Sequence, residues 1–194
     1  MLRDKLKGYK IILASGSPRR QQFFKDLDLD FEIRLKDIEE IYPYDLQGVE
    51  ITNYLAQLKA NAFDGEIAAN EILVTSDTIV WLNNKALGKP KNYDDAFAIL
   101  KSLSNETHEV ITSVCFKTID KTETIFDVTK VTFNRISDEA IRYYLDNYKP
   151  FDKAGAYGIQ EWVGLVGITR IDGSYTNVVG LPTEKVYQYL SKYI

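Results

Sequence analysis

The chain has 194 residues, 45% hydrophobic and 27% charged, with a formal net charge of −4. That is enough apolar material for a substantial core, as one domain over 1–194 or two intimate lobes. The acidic balance excludes a nucleic-acid coat and a binder of anionic membranes, so any anion site has to be local. A single cysteine and a single histidine exclude a disulfide framework and are too few for a zinc centre.

Cys115, inside Val114-Cys115-Phe116, reads as a buried thiol in a reducing compartment. Met1 to Lys10 alternates charges and lacks the apolar core of a secretory leader. No run approaches membrane length. A cytoplasmic protein without a membrane partner is expected.

The first informative stretch is Ile11-Ile12-Leu13 followed by Ala14-Ser15-Gly16-Ser17-Pro18-Arg19-Arg20. The apolar run suits a short buried strand. Ser17 suits an N-cap, and Pro18 suits the first helical position, where its missing N–H costs nothing. Phe23, Phe24 and Leu27 then recur at helical spacing. The two arginines thus fall in a helix's first turn, where cations are disfavoured by roughly 0.3–1 kcal/mol each unless an anion is present. Free backbone N–H groups, the Ser15 and Ser17 hydroxyls and two guanidinium forks would together receive phosphate oxygens. The same spacing also fits an ordinary helix start with solvated arginines.

Phe31 to Leu35 alternates as a half-buried strand, and Lys36 to Pro43 is a charged loop. Ile51, Leu55, Leu58 and Ala62 mark an amphipathic helix with Lys59 at the edge of its apolar face. Ile72 to Leu82 is the most apolar stretch, yet Asp77 stands in its middle. A buried carboxylate must be partnered, protonated or at a cleft-lining strand end. Asn83-Asn84 suits a two-residue hairpin turn. Asn92 caps a helix carrying Ala96, Ile99, Leu100 and Leu103, with Asp95 supporting its first turn.

His108 to Ile119 and Thr122 to Phe133 form a predicted antiparallel hairpin joined at Asp120-Lys121. Ser137 caps a helix whose inward face is Ile141, Tyr144, Leu145 and Tyr148. In Asp152-Lys153-Ala154-Gly155-Ala156-Tyr157-Gly158-Ile159-Gln160, the small residues imply backbone packed closely against something, either a neighbouring element or a ligand. Pro182 starts a last helix bearing Val186, Leu190 and Tyr193.

Ala14-Ser15-Gly16-Ser17-Pro18-Arg19-Arg20 resembles the signature of the Maf family of nucleotide pyrophosphatases. Ser76-Asp77-Thr78, Lys89-Pro90, Asp152 to Gln160 and Gly173 to Pro182 follow in family order. Glu40 and Lys59 stand where the family has its acidic and lysine positions. The resemblance runs from about Ile11 to Leu190. It departs at Glu161-Trp162, where the family usually has a glycine after the glutamine.

The resemblance implies an α/β fold with a mixed, twisted sheet flanked by helices and two lobes around a nucleotide cleft. It implies hydrolysis of a nucleoside triphosphate to the monophosphate and pyrophosphate, with Asp77 as the catalytic carboxylate. Ser15, Ser17, Arg19, Arg20, Lys59, Lys89 and Lys153 would bind phosphates. Arg19, Thr78 and Gln160 would read the base, in a subgroup acting on dTTP and UTP. Carboxylates beside phosphate require a bridging cation or a moving proton. An oxygen-only pair such as Glu40 and Asp77 suits Mg2+, with Mn2+ the other candidate. The expected partner is a small nucleotide rather than a nucleic acid, and the resemblance leaves room for a homodimer. The chain lacks a Gly-x-x-x-x-Gly-Lys-Ser/Thr loop, which argues against a motor or switch NTPase. The rival reading is a non-catalytic nucleotide-binding regulator of cell division, for which a carboxylate facing phosphates would have little use.

Overall fold

A computed structural model describes residues 1–192. The expected last-helix position Tyr193 lies outside them. The sheet contains β1 (Lys10–Leu13), β2 (Phe31–Ile33), β3 (Glu71–Leu82), β4 (Lys85–Leu87), β5 (Thr107–Lys117), β6 (Thr122–Phe133) and β7 (Ile168–Asp172). Its order is β2-β1-β3-β5-β6-β7, with β4 also on β3. Pairing is parallel for β1 with β2 and β3, and antiparallel for β3 with β4 and β6 with β7. The mixed sheet expected from the sequence is therefore present, with helices around it.

The chain divides into two compact units. The first comprises Met1–Asp77, Thr112–Asp127 and Gly180–Ile194. It carries α1 (Leu2–Lys5), α2 (Pro18–Asp26), α3 (Val49–Asn61) and α8 (Thr183–Lys192). Its main core joins Ile11 and Leu13 of β1, Ile72 and Val74 of β3, Phe24 of α2 and Val186 and Leu190 of α8. Leu2 and Leu6 are buried in the same core, so the charged N-terminal stretch is a short helix docked by two leucines. On α3, Ile51, Leu55, Ala56 and Ala60 are buried, whereas Leu58 and the C-cap residue Ala62 are half-buried. Cys115 is fully buried beside Ala56 and Ala60, and burial raises its thiol pKa.

The second unit comprises Thr78–Ile111 and Val128–Val179. It holds α4 (Tyr93–Leu103), α5 (Asp138–Tyr148), α6 (Trp162–Gly167) and α7 (Tyr175–Val179). Asn83 and Asn84 both take positive φ, 49° and 59°, as the tight hairpin from β3 to β4 requires. Asn92 caps α4 by accepting from the Asp95 N–H at 2.9 Å, and Ser137 caps α5 by accepting from the Ala140 N–H at 3.2 Å. Ile141, Tyr144 and Leu145 of α5 are buried as expected, while Tyr148 remains 39% exposed and stacks on Tyr144.

The small-residue block resolves into a packing turn at one of its glycines. Gly155 has φ +70°, and a Cβ there would lie 2.6 Å from Val80 Cγ2. Gly155→Ala is therefore expected to destabilise the fold by about 1–3 kcal/mol, through both strain and overpacking. Urea unfolding measures this, and an unchanged midpoint would contradict it.

His108 is 1% exposed and shares a 2.7 Å hydrogen bond with the Tyr157 hydroxyl through Nε2. Burial depresses its pKa to about 4. The unfolded chain binds that proton near pH 6.5 and the fold does not, so protonation favours unfolding below pH 6.5. His108's contribution is complete above pH 6.5 and is lost as pH falls toward 4. The expected loss is about 2–3 kcal/mol. Urea titrations at pH 7, 5.5 and 4 should show a steeper fall for wild type than for His108→Gln, and parallel curves would refute the assignment.

Candidate active site

The first unit gathers a dense polar cluster where β1 turns into α2 and where β3 reaches Asp77. Ser17 is the N-cap residue of α2 with Pro18 inside the helix start, but its side chain makes no capping bond. Ser15 organises the turn instead. Its Oγ accepts from the Ser17 N–H at 3.3 Å and from Arg20 at 3.4 Å, and its carbonyl accepts from Gln21 Nε2 at 3.1 Å. Ser15 is buried, whereas Ser17 and Arg19 are half-buried.

Arg20 and Arg19 separate clearly. On a helix, consecutive side chains diverge by about 100°, and Arg20 turns onto protein acceptors. Its Nε donates to the Gly180 carbonyl at 2.8 Å and an Nη donates to the Ser76 carbonyl at 3.0 Å. Burial lowers the guanidinium's pKa, and the Asp77 and Glu40 carboxylates counter that shift. Arg20 thus ties together the β1–α2 turn, the residue before Asp77 and the start of the C-terminal segment.

Lys59 joins the two carboxylates. Its Nζ lies 2.7 Å from Asp77 Oδ1 and 3.0 Å from Glu40 Oε1. It also donates to the Ser76 carbonyl at 3.4 Å. The Asp77 and Lys59 side chains are 9% and 16% exposed, Glu40 45%, so the pair is sheltered on one side and open on the other. Buried neighbours explain why Lys59 can reach inward from the edge of α3. Thr75 fixes that helix to β3 by donating to the Ala56 carbonyl at 2.6 Å.

The remaining sequence candidates lie in the second unit. Thr78 follows Asp77 on β3 and is half-buried, with its side chain on the opposite face of the strand by the period of two. Lys89 is exposed between β4 and α4, and Gln160 is exposed before α6. Lys153, whose side chain is 11% exposed, is paired with Asp152 at 2.8 Å and Glu161 at 3.1 Å. Glu161 also accepts a hydrogen bond from the Tyr144 hydroxyl. That tyrosine is absent from the sequence-derived site. Its one signal was a hydroxyl on a core helix face where leucine or phenylalanine would have sufficed.

No group of three or more His, Cys, Asp or Glu suitable for a metal occurs among the described residues. A two-carboxylate donor set is present in Asp77 and Glu40, both converging on a single ammonium. All donors are oxygens, which suits a hard divalent cation that keeps water or substrate oxygens as its other ligands.

A parallel β-α-β start, a turn carrying serines and arginines, and an acid pair held by a lysine make this an α/β protein with a dense polar cluster in its first unit. The chain belongs to the Maf family, whose sequence profile, described as Maf-like protein, matches residues 10–193. It is 76% identical over 190 residues to a protein of Flavobacterium psychrophilum named dTTP/UTP pyrophosphatase, covering 98% of this chain and 97% of that one. A Flavobacterium johnsoniae protein of the same name is 73% identical, covering 98% of each chain. Among solved structures, the Staphylococcus aureus Ham1 protein aligns with a TM-score of 0.56 at 15% identity, over 95% of this chain and all of that one. That last likeness is one of fold.

Proposed function

We propose that this protein hydrolyses nucleoside triphosphates between the α- and β-phosphates, with dTTP and UTP as preferred substrates. The observation that carries this reading is the Asp77–Lys59–Glu40 cluster beside the β1–α2 turn. The names of the Flavobacterium relatives support the substrate class. A regulator without turnover would need the cationic turn but gain nothing from carboxylates beside it.

In the proposed reaction a water oxygen attacks the α-phosphorus, and the bond from that phosphorus to the bridging oxygen breaks. Pyrophosphate leaves, and the water's proton passes to the Asp77 carboxylate. General-base assistance of this kind is worth typically 10²–10⁴ in rate. The α2 N-terminus, the Ser15 and Ser17 turn and the half-buried Arg19 receive phosphate oxygens. Lys59 supplies positive charge at the carboxylates and offsets negative charge on the leaving group. Glu40 and Asp77 would hold a divalent cation, Mg2+ or Mn2+, whose contribution is to neutralise charge between carboxylates and phosphates. Lys89 and Lys153 are proposed as further charges for the polyanion.

For the base, Gln160 offers one acceptor and two donors, enough to accept from N3–H and donate to O4 of uracil or thymine. Thr78 and Arg19 are proposed to help fix the base. A methyl is worth only about 1–3 kcal/mol even in a pocket built for it, so dTTP and UTP should be handled alike.

The test is magnesium-dependent pyrophosphate release from dTTP, UTP, CTP, ATP and GTP. The expected result is dTTP and UTP well ahead of the other three. Gln160→Ala should flatten that order by weakening dTTP and UTP. A wild-type preference for a purine, or an unchanged order in the variant, would defeat the proposal.

A further inference from the structure

Gly158 to Glu161 forms a β-turn closed by the Glu161 N–H donating to the Gly158 carbonyl at 3.0 Å. Ile159 and Gln160 are its two central residues, and Gln160 is the exposed one. Such a turn has few constraints of its own. Here, however, a single buried hydroxyl holds both its ends. Tyr144 Oη accepts from the Gly158 N–H at 3.1 Å and donates to the Glu161 carboxylate. Lys153 approaches the same carboxylate through its other oxygen, at 3.1 Å. Tyr144 is fully buried on α5, a helix whose packed core does not move easily.

The hydrogen bonds run in one direction, from Gly158 N–H through the phenol to the carboxylate, an arrangement in which each bond strengthens the next. Burial, and then the Glu161 carboxylate, raise the Tyr144 phenol's pKa. It therefore stays protonated and keeps donating. Space for the arrangement comes from Gly158, where a Cβ would lie 2.9 Å from Glu161 Cδ and 3.1 Å from Gln160 Nε2. A glycine at 161 would offer no carboxylate to the phenol or to Lys153.

We propose that Glu161 and Tyr144 are positioning residues for base selection, stapling the Gly158–Glu161 turn so that Gln160 is presented in one orientation. The proposal rests on the pyrophosphatase reading with Gln160 reading the base. A floppy turn would still let Gln160 meet a pyrimidine. It would lose the difference between uracil and cytosine, because the amide could rotate to suit either ring. The staple therefore acts on discrimination rather than on the Asp77 carboxylate.

The experiment compares kcat and KM for dTTP, UTP and CTP in wild type, Tyr144→Phe, Glu161→Ala and Glu161→Gln, with thermal melts to confirm folding. Tyr144→Phe and Glu161→Ala should lower the dTTP-over-CTP ratio of kcat/KM at least tenfold. The loss should lie mainly in KM for dTTP, with kcat within about threefold of wild type. Glu161→Gln keeps an acceptor for the phenol and should restore most of the ratio. Amide hydrogen exchange at Gly158 should speed up in Tyr144→Phe, an effect that needs no substrate. If Glu161→Ala does not fold, Tyr144→Phe and Glu161→Gln decide the matter by the same ratio. A wild type that hydrolyses none of the three nucleotides defeats the pyrophosphatase reading itself. A discriminating wild type whose folded variants keep the ratio, or lose activity equally on all three nucleotides, defeats the staple alone.

Discussion

Asp77→Asn is expected to lower turnover by at least about 10² while nucleotide affinity stays within a few fold. The substitution preserves shape and still offers an oxygen to Lys59, which lies 2.7 Å from Asp77 Oδ1. What it removes is the ability to take a proton and the negative charge that a divalent cation would meet. Because Asp77 is 6% exposed, a bulkier or apolar replacement would confound chemistry with packing. Affinity is measured by calorimetry with a dTTP analogue that cannot be cleaved between the α- and β-phosphates, and turnover by pyrophosphate release. Near-normal turnover in a folded Asp77→Asn protein would remove Asp77 from the chemistry and leave Glu40 as the carboxylate to test.

Much of the scaffold around this residue is legible in the sequence because its signals are local. An apolar run ending at Ser-Gly-Ser-Pro encodes β1, the turn and α2, and Asn83-Asn84 encodes a hairpin through its tolerance of positive φ. Other elements leave no such trace. Strand β7 shows no buried face, its residues being half-buried once and then exposed, so no alternation exists to be read. Helix α6 is six residues long and carries two glycines. At Gly164 a Cβ would lie 1.8 Å from the Ile159 carbonyl oxygen, so close approach rather than helix propensity sets its sequence.

The site divides in the same way. Asp77 announces itself as a charge in an apolar strand, a conflict that local physics flags without help. Glu40 does not, because it lies in a loop where no periodicity gives direction, and only the family pattern pointed to it. Its approach to Lys59, 3.0 Å away, joins residues from a loop and a helix that no spacing rule connects. Glu161 departs from the glycine usual in the family. Its partner Tyr144, 17 residues earlier, looked like any aromatic on the inner face of α5.

Arg20→Lys should then behave unlike a loss of phosphate affinity, although Arg19 and Arg20 are chemically identical neighbours in the sequence. The Arg20 fork spans the Gly180 carbonyl, the Ser76 carbonyl and Ser15 Oγ, at 2.8, 3.0 and 3.4 Å. A lysine carries the same charge on a single point and cannot reproduce a planar, three-way clamp. Leaving a buried carbonyl without its charged donor costs about 1–3 kcal/mol, so the urea midpoint should fall measurably. Ser76 immediately precedes Asp77, and a slack carbonyl there should misplace the carboxylate. Turnover is therefore expected to drop roughly 10²-fold, the scale associated with small displacements of a reacting group. KM for dTTP should change by less than about threefold, because a positioning residue acts on the reacting geometry more than on binding. Arg19→Lys provides the contrast, with a KM increase as its main effect. If Arg20→Lys instead raises KM tenfold or more and leaves stability unchanged, Arg20 is a phosphate ligand whose contacts to Gly180 and Ser76 are released when nucleotide binds.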